Sequence, residues 1–179
     1  MKLGDRALQQ WRMRKAARHV PRGARVLDIG AHEGELLALL GPRISRGVGI
    51  DPLSRERSGR HIELLRGEFP DQRVLARGPY DVVTLLAVFE HVPDPAGFAR
   101  AVKSALVPGG RFILTVPDAR VDRILDVLTK LGVVDGMSLE EHHGFDVGDV
   151  PRILASAGFR VLARERFQLG LNNLFVAVA

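Results

Sequence analysis

Short apolar runs alternate along the chain with longer stretches whose apolar residues recur every three or four positions. Five runs have strand length: Arg25 to Ile29, Gly47 to Ile50, Ile62 to Arg66, Asp81 to Ala87 and Arg111 to Val116. Around them lie helical patterns. Leu8 to Val20 carries Met13, Ala16, Ala17 and Val20 on one stripe and is stopped by Pro21 and Gly23, while Glu33 to Leu40 is closed by Gly41 and Pro42. Strands spaced by helices predict a parallel sheet with helices on both faces. The C-terminal end changes rhythm: helix Val147 to Ala157, a stop at Gly158, strand Phe159 to Phe167 and, after a short connection, strand Asn173 to Ala179. So short a link cannot make a parallel crossover, so the last two strands are expected to pair antiparallel. The expectation is one α/β domain over residues 1–179, with a mostly parallel seven-stranded sheet and a reversed last strand.

Composition narrows the class. A chain of 179 residues with 46% hydrophobic and 26% charged content has room for one sizeable core. It has no cysteine, which removes disulfides, thiolate nucleophiles and thiolate metal sites. No apolar run approaches the ~20 residues needed to span a bilayer, so the expectation is a cytoplasmic protein without a membrane span. The net charge of +5 is uneven: residues 1–25 hold eight basic side chains against Asp5 alone. A basic N-terminal helix over 1–22 suits an anionic partner or a solvated surface, and arginine is this chain's usual surface residue.

Candidate chemistry lies in VLDIGAHEG, Val26 to Gly34. Gly30 and Gly34 follow the first strand, where a ligand sits against the next helix in sheets of this kind. A dinucleotide would place its pyrophosphate there, and Asp28 and Glu33 would oppose it. A cationic ligand such as S-adenosylmethionine, which carries a sulfonium and an ammonium but no phosphate, turns both acids into assets. Asp51 in GIDP, beside Pro52, ends the second strand where an acid accepts hydrogen bonds from ribose hydroxyls or simply shapes a turn.

VLDIGAHEG, GIDP, YDVVTLLAVFEHVPDP (Tyr80 to Pro95) and LVPGGRFILTVPD (Leu106 to Asp118), in that order, resemble the class I S-adenosylmethionine-dependent methyltransferases. The resemblance runs from about Ala24 to the C-terminus and implies a Rossmann-like, doubly wound sheet with an antiparallel last strand. It implies that Asp28, Gly30, Ala31, His32 and Gly34 surround the methionine part of the cofactor, and that Asp51 and Pro52 lie at the ribose. Glu68 looks like the acid near the adenine amino group, with Phe69 beside the ring, and Leu86 and Ala87 fall at the methionine end.

The chain departs from the family in three places. His32 stands where a glycine is usual, only Pro52 to His61 separate the second and third strands, and about twenty residues precede the first strand. Attention therefore shifts to residues 119–145, where Val121, Ile124, Leu125, Leu128 and Leu131 recur at helical spacing, suited either to covering the acceptor or to core packing. Methyl transfer needs placement and exclusion of water, and a hydroxyl acceptor gains from a base. His142 and His143 in EEHHGF are the candidate catalytic bases; His91 in the family-like EHVPDP reads as scaffold. No metal-ligand spacing is present, and no metal is expected. The position after the fourth strand reads LLAVFEH, unlike the NPPY-like turn of enzymes that methylate nucleobase amino groups. The acceptor is therefore expected to be a small molecule and not a nucleic acid, and the family resemblance implies a hydroxyl or carboxylate of a metabolite, sugar or lipid-linked precursor. A nicotinamide-dependent reductase and a catalytically silent or RNA-binding protein of the same fold stay open as alternatives.

Overall fold

The computed structural model describes residues 3–118 and 146–179. Helix α1 (Leu3–Ala17) leads into β1 (Arg25–Ile29), α2 (Glu35–Leu40) and β2 (Arg46–Asp51). A two-residue β3 (Arg57–Ser58) precedes β4 (Ile62–Arg66), the one-turn helix α3 (Gln72–Leu75), β5 (Tyr80–Leu86), α4 (Pro95–Ala105) and β6 (Leu106–Pro117). After residues 119–145 come a 3₁₀ turn (Val147–Asp149), α5 (Val150–Ser156), β7 (Arg160–Phe167) and β8 (Asn172–Val178).

The strands form one sheet in the order β3-β4-β2-β1-β5-β6-β8-β7. β1 pairs in parallel with β2 and β5, β2 with β4, and β5 with β6. β8 runs antiparallel to both β6 and β7, as the short link between the last two strands requires. The sheet has eight strands where seven were expected. The extra one is β3, which pairs antiparallel with β4 through Arg57 and Ser58. Ten residues between β2 and β4 leave no room for a covering helix, and the connection closes with this edge ribbon instead.

Two cores sandwich the sheet. On one face Met13, Ala16, Ala17 and Val20 pack with Leu36, Leu37 and Leu40 of α2 over Val26, Val82 and Ile113. The stripe read from the sequence is thus the buried side of α1. On the other face Val102 and Leu154, from α4 and α5, cover Leu27, Val83, Phe112 and Phe175. Caps fix where the helices begin. Asp94 accepts from the Gly97 N–H at 2.9 Å with Pro95 at the first helical position, and Asp146 accepts from Gly148 at 2.7 Å ahead of α5. Among the described residues no helix is long and apolar enough to cross a membrane.

Candidate functional site

Strand alternation places every second residue of β1 on the α1 side, and Asp28 is one of them. It pairs in register with Gly49 of β2 and Thr84 of β5. Beyond these strand ends the chain turns through Gly30 (φ +77°), and Gly30 and Ala31 donate to the Ile50 carbonyl at 2.9 and 3.3 Å. A side chain at Gly30 would bring its Cβ within 2.6 Å of Val88 Cγ2, so the turn requires glycine twice over. His32 takes a left-handed backbone (φ +47°) where the family has glycine, at a cost of about 1–2 kcal/mol. Its N–H donates to Asp51 Oδ2 at 3.2 Å and its carbonyl accepts from Ser54 Oγ at 2.5 Å, which offsets that strain.

A crevice opens here, lined by Gln9 and Arg12 of α1, by Asp28, Gly30, Ala31 and His32, and by Glu35 and Leu86. The helix begins at Glu35, not Glu33, because Gly34 at φ +80° still belongs to the turn. Glu33 consequently points to solvent, and the second acid of the crevice is Glu35. This corrects the pairing of Asp28 with Glu33 drawn from spacing alone.

Asp28 is buried, and Thr84 Oγ1 lies 2.6 Å from its Oδ1. Burial pushes its carboxyl up to about 7; the Thr84 hydrogen bond opposes this, and Glu35 and Asp51 add to it. Arg12 is the residue that sequence reasoning missed. Its Nε is buried without a hydrogen-bond partner, and desolvation holds its guanidinium below the usual arginine range although Glu90 pulls the other way. Only the helical phase of α1 could have signalled it: Arg12 adjoins the buried Met13 and lies one turn before Ala16.

Asp51, partly buried at the end of β2, accepts from Leu53 N at 2.7 Å as well as from His32. The turn role and an exposed acid edge therefore coexist in one side chain. Pro52 and Glu68 are exposed beside it. Phe69 is in the core instead, edge-on to Phe98 at 5.4 Å, which leaves it little surface for a ligand. Ala87 (φ +56°) follows Leu86 at the mouth and donates to the Thr115 carbonyl at 3.0 Å. His142 and His143, and the whole 119–145 segment, lie outside the described residues. His19, just past the end of α1, lies 2.9 Å from Glu165 through its Nε2.

One sheet end thus gathers a glycine turn, Asp28 and Glu35, the strand-end acid Asp51 and the half-buried Arg12. The family comparison decides what kind of protein uses them: residues 3–164 match the family model described as a methyltransferase domain. The chain belongs to the class I S-adenosylmethionine-dependent methyltransferases. It is 35% identical over 109 residues to a ubiquinone biosynthesis O-methyltransferase of Xanthomonas axonopodis pv. citri (strain 306), covering 56% of this chain and 46% of that protein. The chain spans about half the length of the curated relatives it matches. Its fold is that of the magnesium protoporphyrin IX methyltransferase of Synechocystis PCC 6803, solved with bound SAH, at a TM-score of 0.68 and 21% identity over 97% of this chain and 84% of that one. A chain in the complex of the Haloferax volcanii Trm112 methyltransferase activator with a methyltransferase matches at 0.71 and 18% identity, over 98% and 93%.

Proposed function

We propose that this methyltransferase binds S-adenosylmethionine in the crevice between α1 and the ends of β1, β2 and β5, and moves its methyl group to a small-molecule acceptor. The observation that carries the reading is the charge arrangement: Asp28 and Glu35 share one crevice with the half-buried guanidinium of Arg12, whose Nε has no hydrogen-bond partner. That is the complement of a zwitterionic amino acid, with an ammonium for the acids and a carboxylate for the arginine. A dinucleotide phosphate would meet the acids first. The Gly30 turn admits a ligand backbone closely, and the exposed edge of Asp51 suits a ribose diol. The residues present therefore fit the cofactor.

When bound, S-adenosylmethionine supplies a methyl group already activated by its sulfonium. The chain's own work is placement: Arg12 and Asp28 fix the amino-acid end, Asp51 fixes the sugar, and Leu86 and Ala87 border the methyl end and help exclude water. The relatives named for ubiquinone biosynthesis are O-methyltransferases, which favours an oxygen acceptor here too. For a hydroxyl acceptor, His142 and His143 are the proposed bases, a role worth ~10²–10⁴ in rate.

Calorimetry with S-adenosylmethionine and with NADH tests the reading, and preference for NADH rejects it. Asp51→Ala is expected to weaken S-adenosylmethionine binding about tenfold to a hundredfold, the loss of one charge-assisted hydrogen bond. Unchanged affinity removes Asp51 from the site. Arg12→Gln is expected to weaken S-adenosylmethionine about tenfold while leaving 5′-methylthioadenosine, which has no amino-acid end, unaffected. Equal losses for both ligands would mean that Arg12 acts through the fold.

A further inference from the structure

Thr84 occupies an unusual place for a hydroxyl group. It is fully buried in the middle of a parallel sheet, on the face that carries Asp28, and its Oγ1 has two oxygens in reach: Asp28 Oδ1 at 2.6 Å and the Leu27 carbonyl at 3.3 Å. A hydroxyl has one proton to give and two lone pairs to receive with. Beside an ionised Asp28, Thr84 donates to the carboxylate. Beside a protonated Asp28, the carboxyl proton points to Thr84 Oγ1 and the hydroxyl turns to Leu27. The same two heavy-atom contacts satisfy both forms.

The surroundings favour the protonated form in the absence of a ligand. Glu35 from α2 and Asp51 from β2 press negative charge toward Asp28, His32 and Arg12 share its crevice, and Val26, Val82 and Leu36 line the same face of the sheet. Resting on the cofactor reading above, we propose that Thr84 is a positioning residue for Asp28, orienting its carboxyl both in the neutral form that burial favours in the free protein and as a carboxylate under the ligand's ammonium, so that cofactor binding expels one proton. The proton leaves the Asp28 carboxyl for the buffer, and the carboxylate left behind accepts a hydrogen bond from the ammonium; no other bond changes.

Titration calorimetry of the full chain with S-adenosylmethionine in phosphate and in Tris counts the expelled protons. With a carboxyl midpoint at about 7, roughly 0.9 proton is expected at pH 6 and roughly 0.5 at pH 7, less a small uptake by the fraction of free ligand whose α-amino group, of ordinary pKa ~7.7–8.0, is neutral. Affinity should fall about tenfold per pH unit below the midpoint. Asp28→Asn should bind weakly with no proton release at any pH. Thr84→Val, which keeps the shape and removes the hydroxyl, deprives the carboxylate of more than it deprives the acid and should move the midpoint upward; Thr84→Ser should bring it back. Tight binding without buffer dependence at pH 6, or a Thr84→Val midpoint equal to that of the unaltered protein, overturns the proposal. Absence of binding at every pH rejects the cofactor reading itself. In that case carbon-13 NMR of labelled aspartate in the free protein decides whether Thr84 contacts a carboxyl that is neutral at rest: a midpoint near 7 that rises in Thr84→Val supports it, and one near 4 refutes it.

Discussion

Replacing Asp28 with Asn is expected to make the ligand-free protein more stable at pH 8 by about 2–4 kcal/mol while weakening its hold on the cofactor. The stability gain follows from linkage. Asp28 takes up its proton near 7 in the folded chain against 3.8 as a free side chain, so the folded state binds that proton more tightly. Below pH ~4 both states carry it and the contribution is complete. As the pH rises from there toward 7, the unfolded chain ionises and the folded one resists, and stability declines. Above 7 the folded chain carries a buried carboxylate, and the accumulated loss is ~4 kcal/mol. Asparagine has no charge to bury and keeps a partner in Thr84, so most of that loss disappears. Thermal melts at pH 8 should show Asp28→Asn higher by roughly 5–10 °C, with the difference shrinking to nothing near pH 4. An advantage that does not depend on pH would mean that Asp28 is ionised throughout.

That trade of stability for a ligand explains which parts of the site the sequence could disclose. Strand positions were legible because burial on both faces demands continuous apolar runs; β1 and β4 begin and end where those runs do. Asp28 stood out because it interrupts such a run, and an acid in a core strand requires a reason. Arg12 did not stand out, since α1 is rich in arginine and only its packing angle separates the one that turns inward from those that face water. Glu33 and Glu35 could not be ranked for a related reason: the left-handed Gly34 delays the helix and rotates the acids, and sequence spacing carries no record of that dihedral. Phe69 is expected beside the adenine ring by motif, yet the aromatic contact with Phe98 draws it under the surface. β3 escaped notice because two exposed polar residues leave no hydrophobic signal.

Gly49 shows the same limit in a residue with no chemistry at all. It lies in the middle of β2, where glycine ordinarily weakens a strand, and the sequence gives no turn to justify it. The structure does: a Cβ there would fall 2.6 Å from Leu64 Cδ2 and 2.7 Å from Ala31 Cβ. Leu64 can swing its terminal methyl aside, but Ala31 is fixed in the Gly30 loop by its N–H on Ile50 and cannot retreat without lifting Gly30 and His32. Gly49→Val is therefore expected to cost about 3 kcal/mol, the upper part of the range for overpacking, and to weaken S-adenosylmethionine binding more than tenfold, since the loop that carries the Gly30 turn must move. Denaturant unfolding and calorimetry measure the two effects separately. Adding Leu64→Ala should recover part of the stability, because it removes one of the two clashes, and none of the affinity, because the contact with Ala31 remains. Recovery of both would place the obstruction entirely at Leu64 and leave the loop uninvolved.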